Sequence, residues 1–189
     1  IYVEHDFLND FIYGKGGVKE SGKKAGKEME VFGEAWFSGE NSEDEIDIKT
    51  ADYLGKGEKK ELDRVLNFPM SSTIREVFCS SAPTKWLEKR VENVNKIYGG
   101  FNKTLNFIDN HDMERFCAIG NRVQLEQSLV FIMTLPGIPV IYYGTEQEFK
   151  IVRGSMFKEG FGSNGTDNFN QDSVMYKFIK EFAPIIENN

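Results

Sequence analysis

The 189 residues carry 23 Lys and Arg against 30 Asp and Glu, a net charge of -7, which argues against a nucleic-acid-binding face. The apolar share of 40% and aromatic share of 13% are those of a globular protein, with room for one sizeable core or for part of a larger domain. The longest apolar run, 129–133, is far too short to span a bilayer, and no spacing of Cys79 and Cys117 suggests a metal site or a disulfide framework.

Both cysteines read as small buried apolar residues. No signal-peptide pattern appears, and the first residues read as the middle of an element, so the compartment stays open. Asn-x-Thr patterns begin at Asn102 and Asn164, but such short motifs arise often by chance.

Residues 1–5 are apolar and β-prone, the tail of a strand. Asp6 is placed to cap a helix with Phe7, Leu8, Phe11 and Ile12 on one face. Gly14, Gly16 and Gly17 interrupt that pattern, and 18–28 is a basic, polar helical piece on the outside. Residues 29–33 form a short apolar run that delivers Glu34, Ala35 and Trp36. Residues 40–45 are acidic and read as a solvated loop, and 51–61 as loop with a short helix. A third short strand covers 65–68 and is stopped by Pro69.

Ser71 or Ser72 caps a helix carrying Ile74, Val77 and Phe78. A longer helix is capped near Thr84, and its Leu87, Val91, Val94 and Tyr98 step by four, three and four residues along one face. Gly99 and Gly100 end it. Residues 104–108 are a buried strand, followed without a break by Asn110, His111 and Asp112. A helix over 124–135 is terminated by Pro136 and Gly137, and a fourth strand over 138–143 ends at Gly144, Thr145 and Glu146. The Gly- and Asn-rich loop 149–170 is long enough to suggest function. Asp172 then caps a helix with Met175, Phe178, Ile179 and Phe182 inside.

Strands alternating with helices imply right-handed crossovers and a parallel sheet. No dinucleotide or phosphate fingerprint is present, so half of an eight-stranded barrel fits better than a doubly wound nucleotide domain. In such folds the carboxyl ends of the strands carry the site, which is where Glu34 and the Asn-His-Asp cluster fall. Taken alone, Glu34 reads as a surface carboxylate and Trp36 as core. Tyr142 and Tyr143, adjacent on a strand, point to opposite faces and read as packing. Glu146 sits at the rim or caps the turn after it.

Four segments in this order resemble the α-amylase family, glycoside hydrolase family 13, over nearly the whole chain. Val31-Phe32-Gly33-Glu34-Ala35-Trp36 looks like the fifth strand of its barrel, and Leu62-Asp63-Arg64-Val65-Leu66-Asn67-Phe68-Pro69 like the sixth. Phe107-Ile108-Asp109-Asn110-His111-Asp112 looks like the seventh, and Gly137-Ile138-Pro139-Val140-Ile141-Tyr142-Tyr143-Gly144-Thr145-Glu146 like the eighth. The resemblance implies an α/β fold: a partial TIM (β/α)8 barrel with strands five to eight, their helices and the end of strand four, 1–189 forming one unit without a second domain. Val3-Glu4-His5 matches the end of the strand-four motif. The Arg and nucleophilic Asp of that Phe-Arg-x-Asp motif fall before or at residue 1, and Ile1 is neither. Asp6 and Asp10 follow the histidine, where the family does not place its nucleophile.

The activity implied is retaining cleavage of α-1,4-glucosidic bonds in starch or maltooligosaccharides, with transglycosylation or sucrose/trehalose isomerisation as alternatives. By resemblance Glu34 is the general acid/base, shielded by Trp36, and Asp112 stabilises the transition state. His111 and Trp36 contact the sugar, and Asn110 supports the turn. Arg115 either pairs with a nearby carboxylate or is solvated. The implied partners are an α-glucan or maltooligosaccharide and the N-terminal half of the barrel, not nucleic acid or membrane. Many relatives bind calcium near an inserted domain; the carbonyl of His5 is a ligand by resemblance only, and no metal site is assigned here. Without its barrel partner, this chain is expected to be inactive and to be poorly soluble, oligomeric or partly unfolded.

Overall fold

The computed structural model describes residues 3–39 and 44–187. Helix α1 (His5–Tyr13) has Glu4 at its N-cap and no side-chain cap bond. The expected strand tail over 1–5 therefore gives way to helix at His5, while Ile1 and Tyr2 lie outside the described residues. Asp6 sits in the first turn, not at the cap, and pairs with Lys59. A carboxylate there suits the positive end of the helix dipole. Gly14 ends the helix, where a Cβ would fall 2.3 Å from the carbonyl oxygen of Asp10. Helix α2 (Val18–Lys24) follows, shorter than the stretch read from sequence.

Strand β1 (Phe32–Gly33) comes next. Residues 40–43 of the expected acidic loop lie outside the described residues, and helix α3 (Glu45–Ala51) begins at its end. A 3-10 turn over Asp52–Leu54 leads into an antiparallel hairpin of β2 (Gly55–Lys56) and β3 (Lys59–Lys60). Its lysines and glycines show no apolar alternation, which is why 51–61 reads as loop.

Strand β4 (Arg64–Leu66) is followed almost at once by helix α4 (Phe68–Ser80). Pro69 does not stop the strand. It stands in the first turn of α4, where a missing N–H leaves nothing unbonded. The cap is Asn67, whose side chain accepts from the Met70 N–H at 3.1 Å, so Ser71 and Ser72 lie inside the helix. Helix α5 (Lys85–Lys96) follows Thr84, and Gly99 and Gly100 take φ values of 79° and 130° to turn the chain into β5 (Thr104–Asn106). After the short α6 (Phe116–Ile119), α7 (Arg122–Thr134) opens on a reciprocal Asn121–Gln124 capping box. Strand β6 (Ile138–Pro139) and helix α8 (Val174–Glu187) complete the order. Ser173, not Asp172, caps α8, its hydroxyl accepting from the Tyr176 N–H at 3.1 Å. Asp172 instead pairs with Lys177 at 2.9 Å.

The four main strands form one parallel sheet in the order β1-β4-β5-β6, the arc of an α/β barrel. Gly33 pairs with Val65, Leu66 with Leu105, and Leu105 with Ile138, so all four strands end on one rim. The main core gathers α4, α5, α7 and α8 around Met70, Ile74, Leu125, Leu129, Ile132 and Met175. A polar knot crosses the helix layer: Arg90 and Asp47, each 1% exposed, pair directly, and Asp47 also accepts from Tyr98 at 2.9 Å and Asn93 at 2.7 Å. Among the described residues no helix is long and apolar enough to cross a membrane.

Candidate active site

Glu34 follows β1 directly. The strand end leaves no room for a side chain at Gly33, where a Cβ would fall 2.5 Å from Leu62 Cδ1. Glu34 is exposed, contrary to the shielding expected from Trp36. The indole instead stacks on Phe68, with centroids 5.4 Å apart and planes 13° off parallel. Phe68 in turn meets Phe107 edge-on at 4.9 Å. Trp36 is therefore a half-exposed rim aromatic backed by the core.

The segment after β5 splits into a buried anchor and an exposed end. Asp109 is 2% exposed; its carboxylate accepts from the Phe116 N–H at 2.8 Å and from the Thr145 hydroxyl at 3.4 Å. Arg115 is wholly buried, with Nε 3.2 Å from Asp109 Oδ2, which settles the sequence alternative in favour of the paired arginine. Its Nη2 donates to the Tyr143 carbonyl at 3.0 Å and to Thr145 Oγ1 at 3.1 Å. One guanidinium thus joins the ends of β5 and β6. Burial pushes the Asp109 carboxyl above the usual range, with Arg115 and the Phe116 N–H pulling against it.

Beyond the anchor, Asn110 Oδ1 accepts from the Asp112 N–H at 2.9 Å, the turn-supporting role read from sequence. That turn brings His111 Nε2 to 3.3 Å from Asp112 Oδ2. Ligating atoms of Glu34, His111 and Asp112 all lie within 4.8 Å of one another. Residues separated by more than seventy positions along the chain therefore share one mouth at the carboxyl ends of parallel strands.

Sequence reasoning missed two members of this mouth. Arg153, from the loop 149–170, donates from Nη2 to Asp112 Oδ1 at 2.7 Å and from Nε to the His111 carbonyl at 3.0 Å. The loop's length flagged it, but no periodicity singles out one residue in it. Tyr142 lies 6.4 Å from the His111 ring, with Arg115 Cζ 4.5 Å from its own ring centroid. Tyr142 and Tyr143 do not point to opposite faces: β6 stops at Pro139, alternation lapses, and their rings touch edge-on at 4.5 Å. Burial, and then the Tyr143 hydroxyl, push the Tyr142 phenol up to about 12.

The three side chains of this mouth do not by themselves make a calcium site, which takes six to eight oxygens. Glu34, His111 and Asp112 are the only group of three or more metal-competent side chains this close among the described residues. One of the three is an imidazole, and Arg153 already places a positive charge on Asp112. At His5, Nδ1 takes Glu61 at 2.7 Å and Nε2 lies 3.6 Å from Asp52, so both nearby carboxylates face the ring.

The chain matches the family model of the α-amylase catalytic domain over residues 16–181, and it belongs to that family. It is 34% identical over 160 residues to the cyclomaltodextrin glucanotransferase of Thermoanaerobacterium thermosulfurigenes, covering 84% of this chain and 21% of that protein. It is 32% identical over 167 residues to an α-amylase of Niallia circulans, covering 86% of this chain and 29% of that one. Among solved structures it resembles CldA, described as the first cyclomaltodextrin glucanotransferase with a three-domain ABC distribution. The TM-score is 0.74 at 27% identity, over 100% of this chain and 36% of that one. The chain spans about a fifth of the length of the first curated relative (21%). The family resemblance and the partial-barrel reading of the sequence both stand.

Proposed function

We propose that the complete protein is a retaining, α-glucan-active glycoside hydrolase that cleaves α-1,4-glucosidic bonds of starch or maltooligosaccharides. The observation that carries this is the convergence of Glu34, His111 and Asp112 within 4.8 Å at the strand ends of a family-member barrel. In this reading Glu34 protonates the glycosidic oxygen as the C1–O bond breaks, while a nucleophilic carboxylate from the fourth barrel strand takes C1. Glu34, now ionised, removes a proton from the water that attacks C1 and releases the nucleophile. Two inversions leave the sugar in its α configuration. Asp112 opposes the positive charge that builds on the ring and accepts from sugar hydroxyls. His111 donates to the same sugar, and Trp36 offers its exposed ring surface at the rim.

A second reading rests on the 34% identity to a cyclomaltodextrin glucanotransferase. There a glucan hydroxyl, not water, intercepts the covalent intermediate. Proton NMR of the complete protein acting on a maltooligosaccharide tests the shared chemistry. The α anomer of the product appears first; a β anomer first, or no cleavage, overturns the proposal. Cyclic products from starch favour transfer over hydrolysis.

A further inference from the structure

We propose that Arg153 is the positioning residue for Asp112, an inference that rests on the carbohydrate reading of that carboxylate. Two nitrogens of one guanidinium grip two consecutive residues: Nε holds the His111 carbonyl at 3.0 Å and Nη2 holds Asp112 Oδ1 at 2.7 Å. Asp112 Oδ2 faces His111 Nε2 at 3.3 Å, and the Asp112 N–H is tied to Asn110 Oδ1 at 2.9 Å. Arg153 thus completes the restraint of a carboxylate whose backbone and second oxygen are already engaged.

An exposed ion pair ordinarily does little, and the Arg153 side chain is 65% exposed. What sets this one apart is its two-point geometry and its support. The loop that carries Arg153 is braced from within. The Ser155 N–H donates to the Phe161 carbonyl and the Asn168 N–H to the Met156 carbonyl, both at 2.7 Å, and Ser163 is buried. Arg153 is therefore presented from an internally bonded loop, two residues before the first of those bonds. A planar fork can hold a carbonyl and a carboxylate together, whereas an ammonium is a point charge that cannot reproduce both directions. Arg115 does a separate job, because it serves Asp109 beneath the site.

Orienting a group that acts mainly on the transition state shows in kcat more than in KM. The test is steady-state kinetics of the complete protein on a maltooligosaccharide, for Arg153→Ala, Arg153→Lys, Asp112→Asn and the Asp112→Asn/Arg153→Ala double variant. Arg153→Ala is expected to lower kcat about tenfold with little change in KM, and Arg153→Lys to restore only a small part, in keeping with loss of a charge-assisted pair. In the Asp112→Asn background, removing Arg153 is expected to cost nothing more. Unchanged melting temperatures show that the variants fold. If Asp112→Asn impairs turnover while Arg153→Ala does not, or if the two losses simply multiply, the positioning proposal falls and the functional reading survives. If Asp112→Asn keeps full kcat, the reading itself falls and takes this proposal with it.

Discussion

Asp109 and Asp112 stand three residues apart and end in opposite surroundings. Asp109 is 2% exposed and lies against the buried Arg115; the Asp112 side chain is 34% exposed and turns toward Glu34 and His111. One carboxylate is locked beneath the rim and the other faces the open mouth. Asp109→Ala leaves a wholly buried guanidinium without its counter-charge, which costs about 3–5 kcal/mol of stability. Asp112→Ala removes only a partly exposed pair and costs about 1 kcal/mol or less. Denaturant midpoints at constant slope measure both. Equal losses would contradict this division.

The junction under β1 and β4 makes stability depend on acid. Burial alone would raise the Asp63 carboxyl, but the Lys19 ammonium at 2.5 Å, the Val31 N–H at 2.8 Å and the Tyr13 hydroxyl at 3.1 Å hold it below its ordinary value. A folded pKa below the unfolded one adds stability above the unfolded value, about 3.9, and loses it as pH falls through the folded value. Asp63→Asn should therefore destabilise the protein at neutral pH, and the gap from wild type should close under acid. A gap that stays constant across that range would show that the charge is not the cause.

Gly137 occupies a backbone position at φ 126° immediately before β6. A Cβ there would sit 2.9 Å from Asn106 Nδ2 and 3.2 Å from the Phe101 carbonyl oxygen. Gly137→Ala meets both the conformational strain and the crowding, and should cost about 1–3 kcal/mol. Thermal melts test this, and an unchanged melting temperature would mean that the turn can relax.

The helix layer rests partly on the buried Asp47–Arg90 pair, to which Tyr98, Asn93 and Thr73 add hydrogen bonds. Asp47→Ala should cost about 3–5 kcal/mol, because it removes the buried carboxylate that Arg90, Tyr98 and Asn93 all engage. A loss below about 1 kcal/mol, the range of a surface pair, would contradict a buried, stability-bearing role for this carboxylate.

The sequence disclosed the parallel order and the rim residues because short apolar runs ending in polar clusters leave a local signature. Glu34, His111 and Asp112 each stand just past such a run, and the structure brings them together. Signals with two physical meanings leave the local structure open. Pro69 can stop a strand or start a helix, and only the Asn67 cap decides. Strand alternation carried through Tyr142 and Tyr143 places them on opposite faces, but the paired strand is only two residues long. Trp36 beside Glu34 suggested shielding, but Phe68 offered the indole a better surface. Arg153 reaches Asp112 from forty-one positions away inside an irregular loop, and no local pattern encodes that contact.

The measurement closest to the central claim is turnover and binding by the complete protein carrying Glu34→Gln. The substitution keeps size and polarity while removing the transferable proton. Turnover of maltooligosaccharides should fall by about 10²–10⁴-fold while substrate still binds. Turnover near that of the unsubstituted protein would remove Glu34 from proton transfer and contradict the account of this site.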